Sequence, residues 1–377
     1  MQTITDALEL RLTEELLGRS RLLPTPHLMV DRRIVRANYR RLLGALAPCT
    51  VSYAVKANPD PGILATLAVE GCDFEVASEA EMRLALDAGA APGRITSSNP
   101  VKPPSFVAAA RAVGVRAFAI DSPAEVEKIA HHAPGSDVYV RIAVDNSESA
   151  WPLSRKHGAD PNEAIALLGG AARQGLHPIG VTFHVGSQCL SPHAWRGALL
   201  HCARIWDEAE RHGIALSLLN IGGGFPVRHL TQVPEAEEIG QVVRHHIREL
   251  FPADIRVAAE PGRGLVGSAG VLVAEVIGLA DRGDERWAFL DAGVFNGLME
   301  TIGGIRYEFL TERTAESRIV TLAGPSCDSV DTIQTGVPMP EVEIGDRVYV
   351  MATGAYTLSY ASEFNGFARP TVAYVDP

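Results

Sequence analysis

From about residue 27 to residue 265 the chain alternates short apolar, β-branched runs with longer amphipathic stretches, and this alternation limits the fold more than any other feature. The runs at 27–30, 51–55, 73–76, 94–97, 116–120, 137–143, 179–185, 216–221 and 255–259 read as strands. The stretches between them, such as 63–70, 79–88, 104–113, 161–174, 193–212 and 235–250, read as helices. Repeated βα units require a parallel sheet, and about eight of them close into a barrel. An open doubly wound sheet is the alternative that counting leaves standing. After Gly264 the texture changes. The runs 271–279, 287–291, 319–323, 347–351 and 370–375 are strand-like, separated by Gly, Pro and Asp turns, with few helical stripes between them. The expectation is an α/β barrel followed, from a boundary near residue 266, by an all-β region.

At 377 residues and 46% hydrophobic content, there is enough chain for two domains or for one large barrel with an addition. The formal net charge of −11 gives no electrostatic basis for a nucleic-acid or anionic-membrane partner. No apolar run is long enough to span a bilayer. Asp6, Glu9, Glu14 and Glu15 argue against a secretory or mitochondrial leader, while Leu8, Leu12, Leu16 and Leu17 form a helical stripe. The five cysteines are scattered without a CxxC pair, which suits a reducing cytoplasm. Cys49, Cys72, Cys189 and Cys202 read as small core residues. No metal is expected.

In a barrel, reactive side chains gather at the C-terminal ends of the strands. Lys56 stands there, after Val51-Ser52-Tyr53-Ala54-Val55, where its charge must be paired, neutralised or used covalently. A lysine that forms a Schiff base needs such desolvation. Glu75 and Glu81 bracket the end of the next run, and His184 ends another. Gly222-Gly223-Gly224 follows Leu219-Asn220-Ile221, and Glu260 leads into Pro261-Gly262-Arg263. Singly, each has a plainer reading: a solvated lysine, a core histidine, a tight turn, an ordinary ion pair. Together they form an amine, a ring-sized side chain, an anion cradle and a carboxylate. A glycine loop and an arginine suit a phosphate, and a carboxylate suits a protonated pyridine nitrogen. Those are the requirements of pyridoxal phosphate. A nicotinamide site would want GxGxxG opening a helix, and that pattern is absent around Gly222.

The motifs recur in order along the chain: Tyr53-Ala54-Val55-Lys56-Ala57-Asn58, Ala77-Ser78 through Glu81, Phe183-His184-Val185-Gly186-Ser187, Gly222-Gly223-Gly224-Phe225-Pro226, Glu260-Pro261-Gly262-Arg263, Gly324-Pro325-Ser326-Cys327-Asp328, Gly354-Ala355-Tyr356 and Phe364-Asn365-Gly366-Phe367. In these the chain, from about Thr25 to Val375, resembles the barrel-type (fold type III) pyridoxal phosphate decarboxylases of ornithine, lysine, arginine and diaminopimelate. The resemblance implies a (β/α)8 barrel over 27–266 and a β-sandwich-like domain over 267–377 that the segment 1–26 joins, an alanine racemase-like arrangement. It implies that Lys56 carries the cofactor as a Schiff base, that Glu260 pairs with its ring nitrogen and that His184 stacks on its ring. Ser187, Gly222, Gly223, Gly224, Arg263 and Tyr356 would hold the phosphate, with Glu75 and Glu81 nearby. Cys327 would donate the proton after loss of carbon dioxide, Asp328 would bind the distal amine, and Phe364 would border the substrate carboxylate. The implied unit is a homodimer, the Cys327–Asp328 segment reaching into the partner's site.

The reading around Cys327-Asp328-Ser329 favours a cationic substrate end, because diaminopimelate decarboxylases usually carry Glu at the place of Asp328. The expected reaction is decarboxylation of L-ornithine to putrescine and/or of L-lysine to cadaverine. One position departs from the animal and protozoal ornithine enzymes: Ala292-Gly293 stands where they carry Asp-Gly. Ala292 removes a second carboxylate for the distal amine, and Asp291, if extended, points the other way. Glu300 either compensates or is a solvated helix residue. Lysine or a modified diamino acid therefore stays open as substrate, as does diaminopimelate. A racemase would need bases on both faces of the α-carbon. A catalytically silent cofactor carrier or regulatory homologue is the remaining class.

Overall fold

The structure, a computed structural model, describes residues 9–153 and 156–376. Asp6 and Leu8 of the N-terminal segment lie outside the described residues. The chain forms two compact units: one holds Tyr39–Pro226 and Val233–Gly262, and the other holds Val227–Gln232, the residues before Tyr39 and those from Arg263 onward.

In the first unit, eight parallel strands close into a barrel: Thr50–Ala54, Asp73–Glu75, Ile95–Ser97, Ala117–Ile120, Asp137–Arg141, His177–Thr182, Leu218–Asn220 and Arg256–Ala259. The ring closes where Ala258 and Ala259 of the last strand pair with Thr50 and Val51 of the first. Tyr139 and Leu218 pack with Ala119 as a core cluster, so side chains fill this part of the barrel. Several βα turns carry explicit helix-start chemistry. Asp60 caps Pro61–Val69, Ser78 caps Glu79–Asp87 and Ser122 caps Pro123–His132 through side-chain oxygens that accept backbone N–H groups. These caps fix where each helix leaves the strand end, and so fix the loops that carry the reactive side chains.

His27–Val30, read from the sequence among the barrel runs, belongs to the other unit. There it pairs antiparallel with Gly270–Arg282 and parallel with Thr371–Tyr374. A four-residue run buried on both faces has no periodicity that reveals which sheet it joins. The eight-stranded mixed sheet is completed by Glu285–Leu290, Phe309–Thr311, Ser317–Ala323, Thr332–Pro340 and Arg347–Val350. Thr332–Pro340 escapes sequence reading because Gly336, Pro338 and Pro340 interrupt it; it pairs with Ser317–Ala323 through register shifts. Among the described residues, no helix is long and apolar enough to cross a membrane.

Candidate active site

The barrel unit gathers the first group of reactive side chains. Lys56 sits on a short 3-10 turn, Val55–Ala57, just beyond the strand Thr50–Ala54. Its Nζ lies 2.5 Å from Glu75 Oε2. Glu75 is 1% exposed, whereas the lysine side chain is 46% exposed. Of the outcomes that the strand-end position allows, the structure shows pairing: the turn carries the lysine out of the strand, half-exposed, and a buried carboxylate holds it. Glu81 has a local task. Its carboxylate accepts the Ala77 N–H at 2.7 Å while its own N–H donates to Ser78 Oγ at 3.2 Å, closing the start of the helix Glu79–Asp87. Burial, with a smaller push from Glu75, raises its pKa.

Glu260 follows the last barrel strand and is buried. Its Oε1 accepts from Ser98 Oγ and from Asn220 Nδ2, the latter at 2.6 Å. Both hydrogen bonds land on one oxygen, so Oε2 is the atom available to a further donor. Burial first, then the negative charge of Glu75, raises the pKa of this carboxyl. A cationic N–H brought to Oε2 would relieve both effects. His184 is half-buried. Its Nδ1 accepts the Gly186 N–H at 3.0 Å, and Asn146 holds its carbonyl at 3.0 Å. The imidazole is held neutral: burial, then the charges of Arg141 and Lys56, drive its pKa well below the ordinary value.

The glycine loop lies against both groups. Gly222 has φ +64°, and a Cβ there would meet Phe183 O at 2.0 Å. A Cβ on Gly223 would come 2.6 Å from Glu260 O and 3.0 Å from His184 Nε2. Gly222 and Gly223 are therefore required for the chain to pass between the His184 ring and the backbone carbonyl of Glu260. Asn220 ties the pieces together, accepting the Gly222 N–H at 2.9 Å through Oδ1 while donating to Glu260. Ser187 begins a strand paired with Ser149–Trp151.

Three residues here were not singled out in the sequence: Ser98, Asn220 and Arg141. Arg141 ends the strand Asp137–Arg141, and its charge interacts with Glu260, Glu75 and Asp121. Burial lowers its pKa, which those carboxylates partly oppose. The signal for Arg141 and Asn220 was a polar residue closing an otherwise apolar strand. Ser98 carried none.

The second unit holds the other group. Arg263 is buried and pairs with Glu300, Nη1 to Oε2 at 2.8 Å and Nη2 to Oε1. Tyr307 donates to the same carboxylate at 3.3 Å, and the Arg263 guanidinium lies 4.9 Å from the Tyr356 ring centroid. Burial would weaken the Arg263 cation, but Glu300 outweighs it and holds the pKa above its ordinary value. Glu300 is thus neither a solvated helix residue nor an amine acceptor in waiting; it is 4% exposed and committed to Arg263. Ala292 is fully buried. Cys327 and Asp328 are both exposed, while the other four cysteines are buried as expected. Asn365, at φ +56°, accepts from Cys327 N at 3.2 Å and from its thiol at 3.4 Å through Oδ1. Asp331 accepts from Ser326 N at 2.9 Å and Val294 N at 2.7 Å, fixing the loop that carries Cys327 against the one that carries Ala292. Phe364 packs on Phe295, with ring centroids 4.5 Å apart.

Residues 32–267 match the family described as pyridoxal-dependent decarboxylase, pyridoxal binding domain. The chain is a pyridoxal-dependent decarboxylase. A lysine/ornithine decarboxylase of Selenomonas ruminantium is 40% identical to this decarboxylase, over 97% of this chain and 94% of that one. The crystal structure of SrLDC in complex with pyridoxal phosphate and cadaverine superposes with a TM-score of 0.91 at 38% identity, covering 97% of this chain and 94% of that one. A lysine/ornithine decarboxylase from Vibrio vulnificus, complexed with putrescine, gives 0.89 at 31% identity, covering 97% and 99%. The barrel site of this decarboxylase fits the family's cofactor, pyridoxal phosphate: an amine at Lys56, a glycine passage that any Cβ would fill, and a buried carboxylate with Oε2 open to a ring N–H.

Proposed function

We propose that this decarboxylase removes the α-carboxyl group of a basic L-amino acid, L-ornithine and/or L-lysine, giving putrescine or cadaverine and carbon dioxide. The observation that carries this reading is the exposed pair Cys327 and Asp328 on a loop pinned by Asp331. They supply an acid and a fixed anion side by side, which a diamino acid requires and a neutral one does not. The relatives named as lysine/ornithine decarboxylases, with putrescine or cadaverine bound in solved structures, support it.

When bound, pyridoxal phosphate supplies an electron sink for the pair left on the α-carbon as carbon dioxide departs. Lys56 is the amine that holds it, and Glu75 at 2.5 Å is an acceptor for a proton of that amine. Glu260 would accept from the ring nitrogen at Oε2, anchored by its two hydrogen bonds at Oε1. A neutral His184 would lie against the ring face, adding no second positive charge. Ser187 and the backbone of Gly222–Gly224 are proposed phosphate contacts, as are Arg263 and Tyr356. Cys327 would deliver the proton to the α-carbon, Asp328 would take the distal ammonium, and Phe364 would present apolar surface to the carboxylate that leaves.

We further propose a cytoplasmic homodimer in which Cys327 and Asp328 serve the partner's site, in keeping with their exposure in the single chain. The buried Ala292 supports a second substrate reading: without a second carboxylate there, a longer or modified diamino acid is accepted alongside ornithine. The test is turnover of a panel of L- and D-ornithine, lysine, arginine and diaminopimelate, with amines identified by mass spectrometry. Putrescine or cadaverine from the L-forms is expected. Turnover of diaminopimelate alone, or of none, would overturn the assignment.

A further inference from the structure

A hydrogen-bonded chain in the barrel extends the Ser98 anchor of Glu260 further into the core. It runs through Tyr139, whose side chain is fully buried on the strand Asp137–Arg141 and whose hydroxyl also bonds Thr96. The Tyr139 hydroxyl lies 2.7 Å from Ser98 Oγ, and Ser98 Oγ in turn donates to Glu260 Oε1. The serine hydroxyl has one hydrogen, given to the carboxylate, so the tyrosine must donate to the serine. The same serine's N–H donates to Glu75 Oε1 at 3.3 Å. Ser98 thus touches both buried carboxylates, Glu75 and Glu260, while Glu75 holds Lys56.

The loop that presents Ser98 is itself clamped. Lys102, 1% exposed, donates to Asn99 O at 2.9 Å, Pro100 O at 3.1 Å and Ala119 O at 2.7 Å, with Glu125 3.2 Å away. A buried lysine spent entirely on backbone carbonyls and one carboxylate holds the turn after the strand Ile95–Ser97 in one conformation.

We infer that Ser98 is a positioning residue for the reaction: relayed from Tyr139, its hydroxyl fixes Glu260 by Oε1 and so presents Oε2, ionised, to the ring nitrogen of the cofactor. This rests on the reading of Glu260 as the ring-nitrogen partner. The groups that face Glu260 divide by sign. Glu75 opposes its ionisation, while Lys56 and Arg141 favour it; Asn220 and Ser98 donate to it. Desolvation is the largest effect and opposes the charge, so each donor lost shifts the balance toward the neutral acid, which has no charge to hold the ring nitrogen in its protonated form.

The test is titration of the full-length protein, freed of cofactor, with pyridoxal phosphate between pH 5 and 9, followed by absorbance. Ser98→Ala should move the acid-side midpoint of binding upward by about one pH unit, a loss of ~10-fold in affinity below that midpoint. Ser98→Thr, which keeps the hydroxyl, should restore the parental midpoint. Tyr139→Phe, which removes only the outer donor, should shift it in the same direction by less, and it serves where Ser98→Ala does not fold. Glu260→Gln separates the two levels of the argument. If Glu260→Gln destroys binding but Ser98→Ala and Tyr139→Phe leave the midpoint unmoved, Ser98 has no positioning role. If Glu260→Gln itself leaves affinity and pH profile intact, the assignment of Glu260 fails and the role of Ser98 falls with it.

Discussion

Lys56 Nζ and Glu75 Oε2 stand 2.5 Å apart, one side chain 46% exposed and the other 1%. The lysine is held at the rim by a carboxylate rooted in the barrel wall. This pairing places the amine without burying it and keeps an acceptor beside any proton it must lose. Lys56→Ala is expected to abolish turnover and the visible absorbance of protein-bound cofactor. Borohydride reduction of the parent should fix the cofactor to a peptide containing Lys56; labelling of another lysine would remove the assignment.

The second prediction concerns stability. The side chains of Arg263 and Glu300 are 3% and 5% exposed and bonded through both guanidinium ends, with Tyr307 on the same carboxylate. Glu300→Ala would remove the carboxylate that a buried cation and a buried phenol share. Removing one partner of such a pair costs on the order of 3–5 kcal/mol, to be read from urea unfolding of the cofactor-free protein. Glu300→Gln, which keeps an acceptor for Tyr307, should cost less. Equal, small losses in both variants would show that the pair is not structurally important.

These two pairs show how far the sequence could be read. The order of βα units, the glycine passage and the single exposed cysteine were legible because each rests on local chemistry: an N-cap, a positive φ, a Gly-Pro loop. Glu300 was not. Its partner lies 37 positions earlier in the chain, and nothing in Met299-Glu300-Thr301 distinguishes a solvated carboxylate from a buried one. Ser98 was missed for the same reason: a serine in a loop acquires meaning only when folding brings Tyr139 and Glu260 to it. His27–Val30 looked like a barrel strand because a short, fully buried run reads alike in either sheet.

Acid sensitivity has an identifiable source in His229. Its ring lies edge-on to Tyr307 at 5.1 Å, and neither ring nitrogen has a hydrogen-bond partner. Burial, then the Arg263 charge, pushes its pKa down from 6.5 to about 3. The unfolded chain therefore takes up this proton first as pH falls. The contribution to stability is complete above about pH 6.5 and is lost progressively between about 6.5 and 3. Between pH 7 and 5 that loss is ~2 kcal/mol. His229→Phe should flatten the fall in unfolding free energy over this interval, whatever it does to stability at pH 7. An unchanged slope would place the acid lability elsewhere, with His27, His157 and His184 the next candidates, since their pKa values are also lowered by burial.

The proposed shared site has a direct assay. Lys56→Ala and Cys327→Ala chains, each inactive alone, should regain about a quarter of parental sites on mixing, from random pairing in a two-fold dimer. Absence of recovery after demonstrated subunit exchange would mean that both residues serve the same chain.

The last prediction tests substrate recognition at Asp328. It is exposed, and its Oδ1 accepts the Val330 N–H at 2.9 Å, so its plain role is to cap the turn Ser329–Asp331. That bond engages one oxygen and orients the carboxylate; the other is available to an ammonium. Asp328→Ala should lower kcat/KM for ornithine and lysine by roughly 100-fold or more, mainly through KM, because the distal ammonium would enter a partly desolvated pocket unpaired. Asp328→Asn separates the two roles: it retains the capping oxygen, so it should preserve the loop and the Cys327 alkylation rate while still losing the charged substrate. Ala292→Asp, at a buried position on the loop that Asp331 ties to the Cys327 loop, should shift preference toward ornithine by adding a second carboxylate. If Asp328→Asn retains full kcat/KM on every basic amino acid, the residue is a turn cap only. The distal amine is then recognised elsewhere, and Ala292 loses its bearing on substrate length.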